Sequence, residues 1–131
     1  TYSLRLIMAD TVSDTSNKGQ FCQARLAHLD QLLDADRSRP ALLFLHHPPI
    51  EVPAAPDPVQ YDDTDDIAAI AAMLARHRHL KAVYGGHVHR DAHAAVVGIP
   101  VHVMTCGAVD LRKGCSDEER PLAPLFRLHQ H

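Results

Sequence analysis

Gly85-Gly86-His87-Val88-His89, entered from the apolar run Lys81-Ala82-Val83-Tyr84, is the stretch whose reading decides the fold. Four residues with a strand's character run into paired glycines and then into two imidazoles at i and i+2. Glycine lets a chain turn sharply and lets another group approach the backbone closely, so the strand ends here and something is held at its end. In an extended backbone, Cα atoms two apart sit ~7 Å from each other. That spacing is wide for two rings serving one small ion, but it suits two ions ~3.5–4 Å apart.

A second imidazole stretch lies upstream. Ala41-Leu42-Leu43-Phe44-Leu45 is apolar at every position, as in a strand buried on both faces of a layered sheet, and His46-His47-Pro48-Pro49 follows it. Between the two strands, Asp62-Asp63-Thr64-Asp65-Asp66 supplies an N-cap and carboxylates for a helix's positive end. That helix carries Ile67, Ile70, Ala71 and Leu74 on one face and finishes on Arg76-His77-Arg78-His79. The carboxylates read as capping and solvation, not as a metal site. Strand, helix, strand is a βαβ unit with a right-handed connection and parallel strands. In an open α/β sheet the ligand crevice lies at the strands' carboxyl ends, so the topology brings both histidine pairs to one edge. Which of His46 and His47 is the ligand stays open at this point.

The flanks fit an α/β chain. Ser3 to Met8 alternates partially and reads as a strand closing at Ala9-Asp10, followed by a polar loop from Thr11 to Gly19. From Gln20 to about Asp36, the positions Cys22, Leu26, Leu29 and Leu33 form the buried stripe of an amphipathic helix, which Arg39-Pro40 ends. The five prolines between Pro48 and Pro58 make a stiff, extended excursion suited to walling a pocket. Ala92–Val97 and Val101–Thr105, flanking Gly98-Ile99-Pro100, read as an antiparallel hairpin. His93 and His102 on it, like His28, His77, His79, His129 and His131, are expected at the surface or at helix ends. Leu125 to Leu128 reads as a final edge strand.

With 131 residues and 46% hydrophobic content, the chain is one unit able to bury a single core. A net charge of −3 gives no footprint for nucleic acid or an anionic membrane, and no apolar run approaches the ~20 residues of a bilayer span. Cys22, Cys106 and Cys115 are odd in number and widely spaced, so a reducing cytoplasm is the expected setting. Eleven histidines are the compositional oddity. The opening Thr1, already on a strand-like run, suggests a piece of something longer.

His46-His47-Pro48-Pro49 and Gly86-His87-Val88-His89, separated by a proline-rich loop and a helix, resemble the last two signature blocks of calcineurin-like metallophosphoesterases. The likeness is to the bacterial cyclic-nucleotide and glycerophosphodiester phosphodiesterases of that superfamily, and it covers roughly Ser3 to Gly107. It implies a four-layer αββα sandwich of two sheets flanked by helices, with two metal ions at the sheet edge. It further implies that His46 and His87 bind one ion and His89 the other, with His47 and Gly86 lining the pocket. Mn, Fe, Co or Zn suits neutral imidazoles.

Three earlier blocks of the family, Asp-x-His, Gly-Asp-x-x-Asp and Gly-Asn-His-Asp/Glu, have no counterpart here: Asp10-Thr11-Val12 is not Asp-x-His. The chain therefore resembles the C-terminal half of such a domain, a βαβ unit followed by a hairpin. Two dications clamp a phosphodiester in a complete site, whereas three histidines without bridging carboxylates should hold at most one ion, weakly. Expected partners are a phosphodiester small molecule and either a second copy or a complementing N-terminal half. A non-enzymatic remnant keeping the half-fold is one alternative. A mononuclear zinc hydrolase is another, though a general base of the HExxH kind is absent.

Overall fold

A computed structural model describes residues 3–108 together with Leu111, Lys113 and Leu128. The strand expected over Leu125 to Leu128 lies, apart from Leu128, outside them, as do Cys115, His129 and His131. In chain order the elements are β1 (Arg5–Ala9), α1 (Gln23–Asp34), β2 (Ala41–Leu45), α2 (Thr64–Leu74), β3 (Leu80–Gly85), β4 (Ala92–Val96) and β5 (Ile99–Val103). The sheet runs β1-β2-β3-β5-β4, parallel throughout except for β4, which pairs antiparallel with β5.

Right-handed crossovers from β1 to β2 and from β2 to β3 step in one direction, so both helices fall on the same face. Their apolar stripes meet there. Leu29 and Leu33 of α1 and Ile70, Met73 and Leu74 of α2 pack with Ile7, Leu43, Val83 and Val101 in one core. Among the described residues, no helix covers the opposite face. Leu42, Phe44, Tyr84, His102 and Met104 line an open groove of about 750 Å³ across it, and Leu6 and Met8 stand exposed on the edge strand. This two-layer arrangement, helices on one face of one sheet, is the half-sandwich that the resemblance implies.

Several local expectations shift. Cys22 is the exposed N-cap residue of α1 rather than part of its buried stripe, which begins at the half-buried Leu26. Asp63 caps α2 by accepting from the Asp65 backbone N–H at 2.9 Å. Its neighbours do other work: Asp62 accepts from Ser13 and Ser16, and Asp66 accepts from the Phe21 backbone N–H. The proline excursion folds back onto the core through Ile50 and Val52. The hairpin turn is Val97-Gly98, with φ of 47° and 82°, the two positive values of a type I′ turn.

His77 is the largest correction. Expected at the surface or at a helix end, it follows the end of α2 but is fully buried, and its Nε2–H donates to Asp30 on α1 at 2.6 Å. The chain leaves α2 at Ala75 and turns back through His77 toward β3, so the ring lands between the two helices instead of in solvent. His79 is likewise half-buried, donating to the Leu33 carbonyl at 3.1 Å.

Candidate metal centre at the carboxyl edge of the sheet

β2 and β3 are parallel neighbours, with Phe44 level with Tyr84, so the residues that leave their carboxyl ends leave side by side. The Gly86 N–H donates to the His46 carbonyl at 3.0 Å and ties the two exits together. Gly85 lies so close to Pro48 that a Cβ there would stand 2.9 Å from the proline Cβ. Gly85 thus serves close approach, whereas a Cβ on Gly86 would meet only the His46 carbonyl oxygen at 4.0 Å, and the turning is done elsewhere. His87 and His89 themselves have φ of 65° and 54°. The Val88 N–H reaches back to the Gly86 carbonyl at 2.7 Å, making His87 the centre of a γ-turn with positive φ, a rare and strained form. The extended spacing expected for the two histidines therefore does not apply. Strain of this kind concentrates at functional sites.

His46, His47 and His87 come together, each offering a ring nitrogen within 4.8 Å of the others. His87 Nδ1 lies 3.3 Å from His46 Nε2. Two nitrogens each ~2.1 Å from one ion stand ~3.0 Å apart at a right angle and ~3.4 Å apart at the tetrahedral angle. The His46–His87 separation falls in that window. His89 is not in the group; its Nδ1–H donates to the Leu111 carbonyl at 2.9 Å.

His47 is held differently. Its Nε2–H donates to the Asn17 carbonyl at 3.1 Å, which leaves Nδ1 to accept from the Thr11 hydroxyl at 2.8 Å. Its backbone N–H donates to the same hydroxyl, and its carbonyl accepts from the buried Tyr61 hydroxyl at 2.9 Å. Gly19 leaves room for it, since a Cβ there would lie 2.9 Å from the His47 Cβ. With both nitrogens engaged, His47 anchors the segment and the exposed His46 ring projects beside it. Thr11, Asn17, Gly19 and Tyr61 escape a reading of the sequence because they meet His47 only through tertiary contacts, and no local pattern marks them.

Electrostatics favour neutral rings. Burial, and then the neighbouring His47, His46 and His89, push the His87 pKa down to about 4. Burial also lowers that of His47. At neutral pH the His87 ring keeps a lone pair, which is what a cation requires. The His46–His47–His87 group itself contains no carboxylate.

No family model matches the chain. It is 35% identical over 105 residues to a protein of Rhodopseudomonas palustris named a probable cyclic nucleotide phosphodiesterase, spanning 76% of this chain and 36% of that protein. It is 34% identical over 110 residues to a cAMP/cGMP dual specificity phosphodiesterase of Mycobacterium tuberculosis, spanning 82% of this chain and 34% of that protein. A probable glycerophosphodiester phosphodiesterase of Arcobacter nitrofigilis is 25% identical across 98% of this chain and 48% of its own length. The chain thus spans between about a third and a half of the length of these curated relatives. A dimetal phosphatase from Danio rerio shares the fold with a TM-score of 0.53 at 23% identity, over 66% of this chain and 27% of that one. Through its two histidine motifs, its half-fold and these relatives, the chain is related to the calcineurin-like metallophosphoesterases.

Proposed function

We propose that this chain carries part of the dinuclear centre of a metal-dependent phosphoric-diester hydrolase, acting on a cyclic nucleotide or a glycerophosphodiester in the parent protein. The observation that carries this reading is the 3.3 Å between His87 Nδ1 and His46 Nε2, the spacing of two ligands on one ion. The relatives with cyclic-nucleotide and glycerophosphodiester names support the substrate class. The donor set fits Mn, Fe, Co or Zn, since all three ligands are imidazoles. His46 and His87 would hold one ion and His89 the other, after turning from the Leu111 carbonyl. Bound there, a metal pair supplies charge to the phosphate and lowers the pKa of a water.

The chain's own residues prepare that site. The γ-turn at His87 brings its ring to His46, the Gly86 N–H fixes the His46 backbone, and His47, locked by Thr11, Asn17 and Tyr61, would line the pocket beside them. Residues 1–131 act as one unit equivalent to the C-terminal half of the domain. Asp-x-His, Gly-Asp-x-x-Asp and Gly-Asn-His blocks are absent from these residues, so the chain alone holds at most one ion at this site, weakly. A net charge of −3 argues against nucleic acid as substrate, and no helix among the described residues is long and apolar enough to cross a membrane. The bare sheet face suits a second copy or a complementing N-terminal half, in a cytoplasmic setting consistent with the cysteines.

Hydrolysis of a chromogenic bis-aryl phosphate with added Mn2+ tests this reading. The chain alone should turn over negligibly. Chain supplied with the three missing blocks should hydrolyse the ester, and His87→Ala should abolish that turnover. Robust turnover by the chain alone that is lost on His87→Ala would show the missing blocks to be dispensable.

A further inference from the structure

Cross-strand partners His93 on β4 and His102 on β5 face each other with their Nδ1 atoms 3.1 Å apart. We propose that this pair is a second cation site, separate from the motif histidines, that takes a borderline divalent transition ion such as Zn2+, Ni2+ or Cu2+. The separation lies in the ~3.0–3.4 Å window for two nitrogens sharing one ion ~2.1 Å from each. Two facing imidazole nitrogens cannot both present lone pairs at this distance without repulsion; one carries the proton, and an ion can take that proton's place between them. Imidazole donors select zinc, nickel and copper over magnesium or calcium.

The site is built in advance. Directly opposed residues of an antiparallel pair hold their Cβ atoms ~4.5–5.5 Å apart, so both rings start from a fixed base. The His102 ring stacks on Tyr84 with centroids 5.3 Å apart and 21° between planes, and Tyr84 stacks on Phe44 at 5.1 Å and 19°. That ladder across β2, β3 and β5 restrains the His102 rotamer. On the far side of His93, the Asp91 carboxylate lies 3.7 Å from Nε2. That distance is too long for a hydrogen bond to the ring, so the carboxylate contributes only its negative charge, which favours a cation at the pair. His93 is exposed, so an ion reaches the pair from solvent. Bound there, it would clip the edge strand β4 to β5 at the level of Tyr84, one residue before the end of β3 at Gly85.

This inference does not rest on the phosphodiesterase reading, and its test removes the motif histidines first. Calorimetric titration of the 131-residue His46→Ala/His87→Ala variant with Zn2+ should show an equivalent that is lost when either His93→Asn or His102→Asn is added. In the otherwise native chain, the same substitutions should each lower the zinc stoichiometry by one. His93 sits exposed on an edge strand, so His93→Asn keeps the fold, which an unchanged thermal midpoint in metal-free buffer verifies. Zinc binding that survives His93→Asn at full stoichiometry, or no zinc binding in the background variant, would overturn the proposal.

Discussion

His87 concentrates the site's chemistry in one residue: positive φ, close contact with His46, and a ring driven toward its neutral form. The linkage has a definite sign. A histidine whose folded pKa of about 4 lies below the unfolded value of ~6.5 favours folding when neutral, so its contribution is complete above pH ~6.5 and fades as pH falls toward 4. Urea unfolding from pH 7 to pH 4 should therefore show a steeper loss of stability in the native chain than in His87→Ala. Parallel curves would show that the ring is not held neutral. Thr11 allows a second test. Its hydroxyl serves both the ring and the backbone N–H of buried His47, and Thr11→Val keeps the shape while leaving both unpartnered. An unsatisfied buried polar group costs ~1–3 kcal/mol, so this variant should lose about 2 kcal/mol in denaturant unfolding.

Among the elements, the hairpin and the helix pair give opposite lessons. Val97 is a β-branched residue at φ 47° in a two-residue turn that favours Asn-Gly. Val97→Asn should raise stability by about 1 kcal/mol, read as a higher urea midpoint, because a left-handed conformation costs ordinary residues ~1–2 kcal/mol. The hairpin itself was legible from alternating residues on either side of Gly98, and the βαβ unit from an all-apolar run, a capped helix and a second apolar run. The junction of α1 and α2 was not. His77 and Asp30 are 47 positions apart, and nothing in Arg76-His77-Arg78-His79 marks the His77 ring as the fully buried one, or His79 as half-buried against the Leu33 carbonyl. Asp30→Ala should cost ~1–3 kcal/mol by leaving the buried His77 N–H unpartnered. At the site the same division holds. Strand-end placement brought His46 and His87 to one edge, whereas the γ-turn that separates His87 from His89 depends on backbone geometry that residue types alone do not encode.

For the molecule as a whole, the one-sided sheet matters most. Both described helices cover one face, and among the described residues the other presents the exposed Leu6 and an open apolar groove lined by Met8, Phe44, Tyr84 and Met104. Burying apolar surface contributes roughly 25 cal/mol per Å², so covering a few hundred Å² is worth on the order of 10 kcal/mol, comparable to the stability of a small domain. The isolated chain should scatter light as a dimer or larger; a well-dispersed monomer with a cooperative thermal transition would mean that the face needs no partner. The central claim concerns the other end of the sheet, where His46 and His87 are held to share an ion. Its most direct test is the histidine ring NMR spectrum of the chain during addition of paramagnetic Mn2+. The His46 and His87 resonances should broaden together at the same Mn2+ concentration while exposed His28 stays sharp, and His87→Ala should leave His46 sharp as well. Broadening of His46 that persists unchanged in His87→Ala, or both rings remaining sharp to excess Mn2+, would contradict a shared metal site.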